Sequence, residues 1–230
     1  MSDKNAQLGI LMLDTAFPRV LGDIGNAQSF PFAVRYAVVE GATPQAIVQR
    51  DPAPFVQEFI VAGKGLVATG CRGIATTCGF LSLIRPQLAT ALGVPVAASA
   101  LEQIAQINAA LPEGKRAGVL TISAESLTPE HLRIAGAPVD TPVRGMDGSH
   151  FATAIIGNAP ELDPGVARAE IVAAARQFAE ETPGLGALVL ECTNMPPYAD
   201  DIAAATSLPV HSMFSYLTWF EAGLAPRSFG

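Results

Sequence analysis

The chain has 230 residues, half of them hydrophobic and 15% charged, enough to bury one large α/β domain or two lobes of roughly 100 residues each. Its 14 basic and 21 acidic residues leave a net charge of −7. Without any run of Lys or Arg, it lacks the footprint that neutralises nucleic-acid phosphates or meets an anionic membrane surface.

The opening MSDKNAQLGILMLD is not patterned as a signal peptide. No uninterrupted apolar stretch approaches the ~20 residues that span a bilayer, so a soluble, cytoplasmic protein is expected. Short Val/Ile/Leu/Ala runs predict strands buried on both faces at Leu8–Leu13 and Ala33–Val39. A helix follows over Asp51–Thr69, a strand over Gly73–Thr77, a helix over Gly79–Leu92, a strand over Val94–Ala97 and a helix over Ala100–Leu111. The second half continues with a strand at Ala117–Ile122 and helices at Thr128–Ala135 and Pro164–Glu181. It ends with a strand at Leu185–Glu191, a helix at Ala199–Thr206, a strand at Pro209–His211 and a helix from about Met213 to Ala222. Such alternation gives α/β architecture with mainly parallel sheets flanked by helices.

The chain repeats itself weakly. GILMLD (Gly9–Asp14) resembles GVLTIS (Gly118–Ser123), TTCGF (Thr76–Phe80) resembles ECTNM (Glu191–Met195), and LGVPVAAS resembles SLPVHS. Cys78 to Pro95 and Cys192 to Pro209 are both 17 residues apart. Two pseudo-symmetric lobes are therefore expected, residues 1–114 and 115–207, with 208–230 packing back on the first and the active site in the cleft between them. The polar, turn-rich LPEGKR marks the boundary.

Three cysteines in such a chain argue against disulfides. Cys78 and Cys192 each follow a buried strand and precede a helix, at the carboxyl edge where open α/β sheets bind ligands. Two such edges facing across one cleft place a thiol on each side of a substrate. Helix N-termini are expected to lower both thiols toward ~7 from the free value, so that one takes a proton and the other returns it. Cys71 starts its strand and is expected near the opposite edge as a small buried apolar residue.

Asp14–Thr15 after the first strand, Thr76-Thr77-Cys78-Gly79-Phe80 and Glu191-Cys192-Thr193-Asn194-Met195-Pro196-Pro197 together resemble the aspartate/glutamate/hydantoin racemase superfamily, over nearly the whole chain. The resemblance implies two α/β lobes and proton transfer at a carbon next to a carboxylate or carbonyl, with no cofactor. It makes Cys78 and Cys192 the acid/base pair and a small carboxylic acid, amino-acid or hydantoin-like, the substrate. Asp14 and Asn194 would support the cysteines, and Thr15, Thr77, Gly79 and Thr193 would hold the substrate; Ser123 and Ser126, pseudo-symmetric to Asp14–Thr15, are read either as further carboxylate binders or, for Ser126, as a turn or helix cap. Gly79 stands where glutamate racemases carry Asn, and Asn194 where they carry His, which points away from glutamate. Two other readings of the scaffold remain: a maleate isomerase or arylmalonate decarboxylase type of enzyme, and a non-catalytic two-lobe binding protein.

The connection from Phe17 to Phe32 is long and reads either as a lid that closes an apolar roof or as a loop packed permanently on the surface. Arg19, Arg35 and Arg144 are candidate partners for a second anionic group, each set against a surface or lobe-packing role. His131 is expected to be solvated, His150 to lie in a Gly-rich loop, and His211 to end a short strand near the cleft. Glu191 is expected to point to the face opposite Cys192, as a structural partner. No metal-ligand spacing and no phosphate-binding glycine motif occurs, so neither metal nor nucleotide is expected. A homo-oligomer is compatible with a chain of this class.

Overall fold

The computed structural model describes residues 6–229. Two four-stranded parallel sheets form its frame. In the first, β1 (Leu8–Leu13), β2 (Val34–Val39), β3 (Gly73–Thr76) and β4 (Val96–Ala97) lie in the order β2-β1-β3-β4. In the second, β5 (Arg116–Thr121), β6 (Val143–Gly145), β7 (Leu185–Leu190) and β8 (Val210–Ser212) lie in the order β6-β5-β7-β8. The weak sequence repeat is thus a repeat of topology: the first strand of each half sits inside its sheet, between the second and the third.

The apolar runs form strands because both faces are covered. Ile10, Leu11 and Ile74 in one sheet, and Val119, Leu188 and Leu190 in the other, are fully buried. The helices are α1 (Pro44–Val48), α2 (Val56–Ala68), α3 (Arg85–Leu92), α4 (Ile104–Ala110) and α5 (Pro129–Ala135). They continue with α6 (His150–Ile156), α7 (Pro164–Glu181), α8 (Ala199–Thr206) and α9 (Met213–Leu224). Equivalent glycines let helices approach the two central strands. A Cβ at Gly9 would lie 2.9 Å from the Ile74 side chain and 3.0 Å from Leu66 of α2, and one at Gly118 would lie 2.8 Å from Phe178 of α7. Truncating a buried strand residue such as Leu190 to Ala costs about 2–5 kcal/mol.

Three elements escaped the sequence reading: α1, β6 and α6. The stretch at His150 is helical, not a loop, because its first turn is held from a distance: the His150 and Phe151 N–H groups donate to the Glu170 carboxylate of α7 at 3.0 and 2.8 Å. β6 is a three-residue edge strand, too short for a periodic signal. The segment after Cys78 is a 3-10 turn over Gly79–Ile84 before α3 begins. The C-terminal stretch divides: β8 joins the second sheet, whereas Phe220 and Leu224 of α9 pack on Gly73 of β3. Among the described residues no helix is long and apolar enough to cross a membrane.

Candidate active site

Both cysteines lie two residues past the last residue of a central strand, Thr76 of β3 and Leu190 of β7. The pseudo-symmetry brings these strand ends together, and Cys78 and Cys192 line the same narrow cavity of about 20 Å³, room for little more than one water. Leu13, Phe17, Phe80, Ile122 and Ile155 give it apolar walls, and Thr15, Arg19, Thr77, Gly79, Glu191, Thr193 and Asn194 complete it. All three cysteines are free and buried.

Hydrogen bonds fasten the two halves at this point. The Thr193 hydroxyl donates to the Thr77 carbonyl at 2.6 Å, and the Thr77 hydroxyl accepts from the Leu13 N–H at 3.2 Å. A second chain runs from the long connection to Cys192. The Arg19 guanidinium donates to Thr15 Oγ1 at 3.0 Å and to Asp23 Oδ1 at 2.9 Å. Asp23 Oδ2 accepts from Asn194 Nδ2 at 2.6 Å, and the Cys192 thiol donates to Asn194 Oδ1 at 3.6 Å. Because the carboxylate can only accept, it fixes which end of the amide faces the sulfur. The connection is packed down over the cavity: Phe17, Ile24 and Phe30 are buried, and the Ile24 N–H donates to the Thr193 carbonyl at 3.3 Å. At Gly22, with φ +99°, a Cβ would come within 2.8 Å of the Pro197 backbone.

Five of the substrate and supporting residues expected from sequence, Thr15, Thr77, Gly79, Thr193 and Asn194, line the cavity with the cysteines; three do not. The Asp14 carboxylate accepts from the Gly41 N–H at 3.0 Å, turned toward the bend after β2 and out of the cavity. Ser123 and Ser126 belong to a separate polar pocket, where the Ser123 hydroxyl lies 2.5 Å from Asp147 and 3.1 Å from Ser126. Of the three arginines, only Arg19 lines the cavity. Arg35 donates to the Thr69 carbonyl, and Arg144 pairs with Glu181. His131 is buried, contrary to the solvated position expected. Its Nδ1 accepts from the Thr128 N–H at 3.1 Å and its ring meets the edge of Phe80, because α5 packs on the turn after Cys78. His211 lines a different pocket, beside Trp219.

Two electrostatic expectations are reversed. The thiols are not lowered toward neutrality. Burial above all, and then the charge of Glu191, push Cys78 up to about 12, against the Phe80 and Leu81 N–H groups and Arg19. Cys192 is raised well above the ordinary thiol value by burial and Glu191, with only the Asn194 N–H opposing. Removing a thiolate from water outweighs a few aligned N–H groups. Glu191, in turn, does not point away. β7 ends at Leu190, so strict alternation stops one residue too early to govern it. Its side chain lines the cavity at 1% exposure, Oε2 accepts from the Thr121 hydroxyl at 2.7 Å, and burial raises it to about 7. The signal available was a charged residue closing the otherwise apolar run LGALVL.

No family model matches the chain. It is 31% identical to dimethylsulfoniopropionate lyase 7 of Emiliania huxleyi (strain CCMP1516), over 94% of this chain and 67% of that protein. It is 28% identical to a dimethylsulfoniopropionate lyase of Durusdinium sp. clade D, over 96% of this chain and 75% of that one. Among solved structures, a variant of arylmalonate decarboxylase superposes with TM-score 0.66 at 13% identity, over 95% of this chain and 92% of the other. Glutamate racemase from Thermus thermophilus does so with TM-score 0.56 at 20% identity, over 99% and 86%. The fold is thus that of the aspartate/glutamate/hydantoin racemase superfamily, and by sequence the chain belongs to the dimethylsulfoniopropionate lyase family.

Proposed function

We propose that this protein is a cysteine-dependent lyase that removes a proton from the carbon next to a carboxylate and expels dimethyl sulfide from the adjoining carbon of dimethylsulfoniopropionate. The observation that carries the reading is the convergence of two buried thiols, one from each half, on one cavity lined by a single cation, Arg19. The relatives named for this substrate supply its identity.

Arg19, with Thr15 beside it, takes the carboxylate. The ring of Phe80 takes the methylated sulfonium, since a cation is attracted to an aromatic face and that of Phe17 is covered by the Arg19 guanidinium at 4.5 Å. The two cysteines are not equivalent. Cys78 has two backbone N–H groups and Arg19 to support its thiolate, whereas Cys192 has its proton engaged by Asn194 Oδ1. Cys78 is therefore the base. Its thiolate takes the α proton, the C–H electron pair becomes the Cα=Cβ bond, and the Cβ–S bond breaks with its electrons on sulfur. The products are acrylate, neutral dimethyl sulfide and one proton, and Cys192 stays a thiol.

Racemisation or epimerisation is the second reading, favoured by the origin of the thiols in opposite halves: Cys78 takes a proton and Cys192 returns one on the other face. One experiment separates them. The protein is incubated in D₂O with dimethylsulfoniopropionate, and separately with amino acids and hydantoins, while headspace dimethyl sulfide, acrylate and α-deuterium are measured. Dimethyl sulfide and acrylate in equal amounts, lost in Cys78→Ala, are expected. Deuterium at Cα of an amino acid or hydantoin without elimination selects the second reading, and neither product overturns both.

A further inference from the structure

We infer that Glu191 is the proton acceptor that converts the Cys78 thiol to the attacking thiolate, a step that rests on the lyase reading above. Four observations of geometry converge. Glu191 comes from the second half of the chain but closes the wall next to Cys78. A Cβ at Gly79 would lie 2.2 Å from Glu191 Oε1 and 2.9 Å from its backbone carbonyl, so the missing side chain at 79 is the space the carboxylate occupies. Oε2 is held by Thr121, whereas Oε1 is buried without a hydrogen-bond partner. The carboxylate lines the same cavity as both sulfurs. An orphaned buried carboxylate oxygen is costly unless it has a task or a visiting proton.

The chemistry needs such a group. A thiol held near 12 is a poor base until something removes its proton, and catalytic hydrogen bonds commonly tighten only once substrate closes the site. Cys78–SH and Glu191–COO⁻ become Cys78–S⁻ and Glu191–COOH. The thiolate then takes the α proton and returns to the thiol. After the products leave, Glu191–COOH loses its proton to solvent. Each turnover thus releases the one proton that the elimination generates. The charged and titratable groups around Glu191 are Cys78 on the turn after β3, Cys192 beside it, and the Arg19–Asp23 pair of the long connection. Thr121, the Ile122 N–H and Ser99 are its neutral neighbours.

Glu191→Gln separates proton acceptance from a merely structural role, because turnover and Cys78 reactivity fall together while Cys71 stays unchanged. Loss of the acceptor lowers kcat for dimethyl sulfide release by about 100-fold or more and removes the ascending limb of the pH profile near 7. Without its acceptor the Cys78 proton has nowhere to go, so site-resolved alkylation by iodoacetamide at pH 7.5 becomes about tenfold slower, and a faster rate would show Glu191 to be only a repelling charge. Cys71 is the internal reference, and its rate stays constant if the fold is intact. If Cys71 becomes reactive, Glu191→Asp replaces the variant: the shorter carboxylate keeps the pH limb at reduced kcat, and a vanished limb overturns the inference. Unaltered kcat and pH profile in Glu191→Gln overturn it while leaving the lyase reading intact. If no substrate is turned over at all, the lyase reading fails, and an unchanged Cys78 alkylation rate in Glu191→Gln would independently dismiss the coupling.

Discussion

The hydroxyl of Thr193 donates to the main-chain carbonyl of Thr77 at 2.6 Å, so residues adjacent to the two cysteines are tied directly to one another across the halves of the molecule. Both residues are buried, so the bond fastens the two cysteine-bearing turns to each other as no contact within either half can.

Thr193→Val removes the donor and keeps the volume. A buried carbonyl left unpaired costs about 1–3 kcal/mol. In a chain of this size that lowers Tm by several degrees in a thermal scan. A larger proportional loss is expected in kcat, because the spacing of the thiols is disturbed as well as the fold.

Substitution of the cysteines ranks their roles. Cys78→Ser is expected to abolish dimethyl sulfide release. Cys192→Ser, which keeps a hydroxyl donor on Asn194, retains a measurable fraction of elimination but none of any racemase activity. Cys71→Ala leaves turnover intact, since that thiol packs at the opposite end of β3. Initial rates for the three variants under one set of conditions decide the assignment. Equal loss in Cys71→Ala would displace the site.

Asp23 is 2% exposed and accepts from Arg19, from the Gly25 N–H and from Asn194. Asp23→Ala leaves a largely buried guanidinium without its counter-charge, a change that costs about 3–5 kcal/mol in comparable buried pairs. It also frees the Asn194 amide to rotate away from Cys192. Chemical denaturation is expected to show the loss of stability, and limited proteolysis a new cleavage in residues 16–32.

Glu191 makes stability depend on pH. Its folded carboxyl titrates near 7, above its ordinary 4.5, so between those values the native state holds more proton than the unfolded chain. Stability from this group is fully present below about 4.5 and is lost as pH rises to 7, by about 3 kcal/mol in order of magnitude. Denaturant midpoints at pH 5 and pH 7.5 should therefore fall further in the wild type than in Glu191→Gln. Parallel slopes for the two proteins would show that the carboxylate is not held protonated.

Much of this architecture was readable because it is local. The strand at Leu8–Leu13 and the helices at Pro164–Glu181, capped by Asp163, and Ala199–Thr206 carry their own apolar pattern, and they form where it places them. The cysteines were readable for the same reason, each just past a buried strand. α6 was not: its local cap, Ser149, sits in a Gly-rich stretch, and the rest of its first turn is held by Glu170, 19 to 20 residues away.

By itself the sequence determined the two α/β halves, their parallel strands and the two thiols at the strand ends, since hydrophobic period and chain order suffice for these. The tertiary structure alone decided that Glu191 enters the cavity while Asp14 and the Ser123–Ser126 pair do not, that Arg19 joins it through Asp23, and that both thiols are held protonated. Those outcomes depend on which surfaces of the two halves meet and how much water they exclude. Desolvation is a property of the assembled cavity, and no single segment of the chain contains it.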